Sequence, residues 1–96
     1  AEPGEVVNYV ENHDNLTLFD VLALRLPRDL SREQRARAQA LGVATVALSQ
    51  GVAYLHAGVE MQRSKSLDRD SFDSGDWFNR LDWTLRTNGF GSGLPP

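Results

Sequence analysis

Between Leu41 and Leu48 the chain reads Leu41-Gly42-Val43-Ala44-Thr45-Val46-Ala47-Leu48, apolar around almost the whole circumference of a helix. The helix has a readable start. Ser31-Arg32-Glu33-Gln34 matches a capping box, in which the Ser side chain and the Gln side chain each accept from the other's backbone N–H. This predicts a helix over 32–50, polar and basic at first (Arg32, Arg35, Arg37) and apolar later. A helix that is apolar all round is buried on more than one side. A chain of 96 residues buries only about 60–65% of its unfolded surface. It has no cysteine, so no disulfide compensates. The expectation is that something else covers this helix, either the remainder of a longer polypeptide or a second copy of the chain.

Two apolar runs flank that helical region. Val6-Val7-Asn8-Tyr9-Val10 follows a Pro-Gly breaker and is rich in β-branched and aromatic residues, so it predicts a strand. Val52-Ala53-Tyr54-Leu55-His56 follows Gly51 and predicts a second. Neither alternates cleanly in polarity, as expected of strands covered on both faces in a parallel sheet. Between them Leu18, Val21, Leu22 and Arg25 fall on one helical stripe, and Pro27 stops it. Strand, helices, strand is a βαβ crossover, and the fold class is α/β. From Gly58 onward the chain is polar and irregular. A short helix from Trp77 to Asp82 is expected, with Asp76 as its N-cap. Residues 84–96, rich in Gly and Pro, read as a loop or linker. No internal repeat is visible.

Ten Lys and Arg against thirteen Asp and Glu give a net charge of -3. A nucleic-acid binder needs a clustered basic surface, and none is present. No apolar run approaches the ~18 residues of a membrane span. Residues 1–5 show neither a basic region nor an apolar one, so no signal peptide is expected there, and the compartment stays open.

In parallel α/β folds, chemistry collects where strands end. The first strand delivers Glu11, Asn12, His13 and Asp14, and the second His56 and Glu60. Carboxylates and imidazoles on one rim suit a sugar or a phosphate ester. The plainer reading is a helix entry, with Asp14 or Asn15 as cap. Zinc on His13, Asp14, His56 and Glu60 is disfavoured, because adjacent strand residues point to opposite sides. Residues 68–76 are acidic but fail the calcium-loop pattern at Phe72 and Asn79. Asn15-Leu16-Thr17 is a glycosylation sequon, a triplet common by chance. Gly51 and Gly58 make no phosphate loop. Trp77, Phe78 and Trp83 lie beside Asp76, Asn79 and Arg80. Trp faces next to polar groups hold sugar rings; equally, these Trp residues anchor cores. Asp76 and Arg80, four apart, either share a helix face or form a surface ion pair.

Val6 to Asn15, ending in Asn12-His13-Asp14-Asn15, resembles the fourth signature segment of the alpha-amylase superfamily of glycoside hydrolases. Residues 48–61, with Leu55-His56-Ala57-Gly58, resemble the eighth strand of that superfamily's barrel. Arg63-Ser64-Lys65-Ser66, Ser74-Gly75-Asp76-Trp77-Phe78-Asn79 and Gly93-Leu94-Pro95-Pro96 are similar to the debranching branch of pullulanases and limit dextrinases. The resemblance implies that residues 1–96 are the C-terminal part of a catalytic (β/α)8 domain. They would cover strand 7, helix 7, strand 8 and the following loop and short helix of a barrel of ~250 residues. It implies a retaining hydrolase of α-1,6 branch linkages in pullulan, amylopectin or limit dextrins. Asp14 would be the transition-state stabiliser and His13 a sugar ligand. Asp76 and Arg80 would hold the next glucose, with Asn12, Glu60 and Trp77 lining the site. The family's nucleophile and general acid lie on strands outside this stretch, so the isolated chain is expected to be inactive. No cofactor or metal is implied here, though calcium elsewhere in a parent protein is compatible. The partners expected are an α-glucan and covering protein, with neither nucleic acid nor membrane. The alternative is a non-catalytic carbohydrate-binding or structural α/β segment.

Overall fold

The computed structural model describes residues 2–91. The last residues of the expected linker, with Gly93-Leu94-Pro95-Pro96, lie outside these described residues. Four regular elements follow in order: β1 (Val7–Asn8), α1 (Leu18–Arg25), α2 (Arg32–Leu48) and β2 (Val52–Ala53). Short 3-10 turns occupy Pro3–Glu5, Val59–Met61, Ser71–Asp73 and Asp76–Phe78. β1 and β2 pair in parallel, Val7 with Val52 and Asn8 with Ala53, so the crossover expected from the sequence is present.

Both strands are shorter than the apolar runs that announced them. A strand exists only where a neighbour takes its backbone groups, and each run meets just one partner here. Val52 N–H donates to Val6 O and Tyr54 N–H to Asn8 O. Residues 9–10 and 54–56 extend past the paired stretch. Gly51 makes the entry to β2: its φ is +107°, and a Cβ there would stand 2.8 Å from the Val6 carbonyl oxygen.

The capping box of α2 is formed as expected. Gln34 N–H donates to Ser31 Oγ (3.1 Å) and Ser31 N–H to Gln34 Oε1 (2.9 Å). The helix ends at Leu48 rather than Gln50. α1 packs against it where Gly42 leaves room; a Cβ on Gly42 would come within 2.9 Å of Leu18. The cap of α1 is neither Asp14 nor Asn15 but Thr17, whose Oγ1 accepts from Asp20 N–H. Asn15 is held at φ +58° and belongs to the loop.

The expected helix over 77–82 shrinks to the 3-10 turn at Asp76–Phe78. Local side-chain bonds compete with helix there. Asn79 Nδ2 donates to Ser71 O, and the Asp82 carboxylate accepts from the N–H groups of Thr84 and Thr87. Residues 84–91 are irregular. Their last part folds back: Ser64 N–H donates to Asn88 O and Ser66 Oγ to Gly89 O.

The interior is polar. Among the described residues the buried hydrophobics are Val46 and Val59, while Glu11, Thr17, Asp20, Gln39, Arg63, Ser64 and Lys65 are all buried. Apolar side chains lie outside: Val7, Tyr9, Val52, Leu55 and Leu41 are exposed, and Leu48 is 87% exposed. The apolar sides of β1, β2 and α2 thus have no cover within the described residues. No described helix is long and apolar enough to cross a membrane.

Asp20 carries the packing. Its Oδ1 accepts from Ser64 Oγ (2.5 Å) and its Oδ2 from the N–H groups of Lys65 (2.9 Å) and Leu67 (3.2 Å). One buried carboxylate thereby pins the loop after β2 to the start of α1. Replacing it strands two buried donors and one part-buried donor, so Asp20→Ala should lower unfolding stability by about 3 kcal/mol, measured as the shift in the denaturant midpoint.

Candidate functional site

The ends of the two strands are tied together by a pair that sequence reasoning missed as a pair. Glu11 is buried. Its Oε2 accepts from His56 Nδ1 (2.7 Å), and its Oε1 accepts from Leu18 N–H (2.8 Å), the first residue of α1. Glu11 and His56 therefore tie the two strand ends and the start of α1 into one scaffold. Two residues further on, His13 and Asp14 stand clear of it. Their side chains are 78% and 67% exposed, with His13 Nε2 3.5 Å from Asp14 Oδ1. Asn12 Oδ1 accepts from Asp14 N–H (2.9 Å), shaping the turn that presents the pair. Asp14 and Asn12 line a hollow of about 450 Å³ with Tyr9, Arg25 and Arg69.

A second hollow, of about 540 Å³, is lined by Asp76, Trp77, Asn79 and Arg80. Trp77 is 60% exposed among the described residues, and Trp83 is exposed too. No ion pair among the described residues joins Asp76 to Arg80. A 3-10 turn stacks residues three apart rather than four, so the α-helical face expected for this pair does not form. Both groups are left to line the hollow. Glu60 goes to neither place. Its carboxylate accepts from Gly58 N–H (3.1 Å), and it lines a third hollow with Arg32, Arg35, Trp83 and Phe90. The structure thus brings Asn12 together with Asp14, and Asp76 with Trp77 and Arg80, and sets Glu60 apart.

Among the described residues no three His, Asp or Glu converge as a metal site. The acidic loop after residue 67 is organised by hydrogen bonds of its own. Asp68 accepts from Ser74 Oγ and from Asp70 N–H. These bonds, the Ser74 hydroxyl first, hold its carboxyl below the usual aspartate range. In the sequon, Thr17 is fully buried and its hydroxyl caps α1.

The largest omission of the sequence reading is Lys65. It is 1% exposed, and its Nζ donates to the main-chain carbonyl of His13 (2.9 Å). Burial first, and then neighbouring Arg63, hold its ammonium below the ordinary lysine range, opposed by Asp68, Glu11 and Asp20. Burial likewise lowers Arg63, whose guanidinium donates to Asn79 O (2.7 Å). The string Arg63-Ser64-Lys65-Ser66 was visible as a motif, but nothing in it announced that a lysine would be buried.

This parallel α/β crossover, with a carboxylate–imidazole pair beyond one strand end and an aromatic-lined polar hollow beyond the other, is matched over nearly the whole chain by segments of known proteins. The relatives in question are pullulanases. The chain is 54% identical to chloroplastic pullulanase 1 of Arabidopsis thaliana over 94 residues, 98% of this chain and 10% of that protein. It is 50% identical to the Klebsiella aerogenes pullulanase over 95 residues, 99% of this chain and 9% of that protein. The solved structure of Klebsiella pneumoniae pullulanase complexed with maltotriose superposes with a TM-score of 0.91 at 50% identity, over 94% of this chain and 9% of that one. The pullulanase from Anoxybacillus sp. LM18-11 complexed with maltotetraose gives 0.81 at 42% identity, over 86% of this chain and 12% of that one. The chain therefore spans about a tenth of the length of the curated relatives it matches. No family model matches it.

Because its hydrogen bonds lower the Asp68 pKa, the stability this carboxylate adds is present above the unfolded aspartate value of about 3.9. It is lost as pH falls through the lower folded value. Ser74→Ala should raise the Asp68 pKa back toward the ordinary value, read by NMR titration of its side-chain carboxyl carbon.

Proposed function

We propose that these residues form part of the catalytic (β/α)8 domain of a retaining debranching hydrolase that cleaves α-1,6-glucosidic linkages in pullulan or limit dextrins. The observation that carries the reading is the half-identical match to pullulanases over nearly the whole chain, which includes the exposed His13–Asp14 pair. The maltotriose and maltotetraose in the complexed relatives fit an α-glucan as the ligand. β1 and β2 would be the seventh and eighth strands, and their uncovered apolar sides would pack on the rest of the barrel.

In that setting a carboxylate nucleophile and an acid elsewhere in the protein perform the displacement. Asp14 moves no proton. Its negative charge faces the cation that develops at the anomeric carbon and steadies the transition state more than the ground state. His13 donates to a sugar hydroxyl and orients the ring. Asp76 and Arg80 accept from and donate to the hydroxyls of a neighbouring glucose, and the exposed Trp77 ring covers an apolar sugar face.

Asp14→Asn in the full-length protein should lower kcat by about 10²-fold or more while KM stays within a few-fold, measured by reducing-end release from pullulan. A kcat loss under tenfold would remove Asp14 from the mechanism. Trp77→Ala should instead raise KM with kcat little changed, as expected for binding felt equally in ground and transition states. The isolated 96 residues should release no reducing ends.

A further inference from the structure

From the buried bridge between residue 65 and the His13 carbonyl, we infer that Lys65 is a positioning residue that sets where the Asp14 carboxylate stands. The inference rests on the reading of Asp14 given under Proposed function.

The His13–Asp14 turn is exposed, and among the described residues its side chains make no bond to the scaffold that would fix it. What fixes it is backbone. Asn12 Oδ1 accepts from Asp14 N–H on one side, and Lys65 Nζ donates to His13 O (2.9 Å) on the other. The peptide between His13 and Asp14 is thus held at both its carbonyl and its N–H. Lys65 cannot drift, because its own N–H donates to Asp20 Oδ2 (2.9 Å). Asp20 sits in α1, and α1 is anchored to Glu11 through Leu18 N–H. Glu11 lies two residues before His13, so the circuit closes around the turn.

An ammonium group is an expensive way to satisfy one carbonyl in a buried place. A methionine would fill the same volume without desolvating a charge. The lysine adds a charge-assisted bond, shorter and stiffer than a neutral one, at the one peptide that carries Asp14. Misplacing a reacting partner by about 1 Å costs on the order of 10²-fold in rate, so a stiff bond at this peptide has a kinetic effect out of proportion to its share of stability.

The test is a double-mutant cycle in the full-length protein, with kcat and KM on pullulan and the unfolding midpoint measured for Lys65→Met, Asp14→Asn and the combination. Lys65→Met should lower kcat by about 10- to 100-fold with KM within threefold. The double variant should be no slower than Asp14→Asn alone, since the lysine acts through the aspartate. Lys65→Gln keeps a neutral donor and should recover part of the lost kcat. It enters the same cycle if Lys65→Met does not fold. Losses that multiply in the double variant would show a merely structural lysine and overturn the inference, as would an unchanged kcat in Lys65→Met. An unimpaired Asp14→Asn would instead bring down the reading of Asp14 itself, and the role of Lys65 with it.

Discussion

Three donors from one loop meet on the Asp20 carboxylate, and the arrangement of this molecule follows from that meeting. Ser64 Oγ and the N–H groups of Lys65 and Leu67 all donate to this one residue of α1. In a low-dielectric interior an ionised acceptor strengthens each bond it receives and makes each unmade bond costly. The loop after β2 is therefore locked to the helix after β1, and the two strand ends are presented side by side. The Glu11–His56 pair repeats the device closer to the sheet.

The distribution of polarity is inverted relative to an ordinary small domain. Hydrogen-bonded polar groups fill the inside, while Val7, Leu41, Leu48, Val52 and Leu55 face out. Such an interior specifies geometry well but supplies little net stability, because each internal bond replaces one to water. The apolar sides of α2 and the strands hold most of the burial energy still to be realised, at roughly 25 cal/mol per Å² covered. The polar bonds that fix geometry sit at the loops, while the apolar area of the sheet and helix lies exposed.

Local signals were legible wherever a residue acts on its near neighbours. The Ser31–Gln34 capping box formed bond for bond, the apolar runs did pair in parallel, and the α2 residues Leu41 and Leu48 are exposed as an uncovered helix requires. Most of the errors share one cause. The strand lengths and the helix at 77–82 were read from propensity, and each was decided by a hydrogen-bond partner distant in sequence or by a side chain that outbid the helix, whereas the cap of α1 is a local bond at a neighbouring residue, Thr17. Asp76 and Arg80 were read as a pair at α-helical spacing; the 3-10 turn breaks that spacing yet leaves both on one hollow. Glu60 was read onto the rim from its place after the second strand, but the turn at Gly58 takes its carboxylate elsewhere.

By itself the sequence determined the α/β order of elements and the largely apolar stretch of α2, and it singled out residues 12–14 and 76–80, which the structure leaves mostly exposed. Those are properties of period, capping and composition, which act over a few residues. Only the tertiary structure decided that Lys65 reaches His13 across 52 residues, that Asp20 gathers the loop, and that Glu11 meets His56. Which buried polar group meets which depends on how distant segments cross, and no local pattern in the chain encodes a crossing.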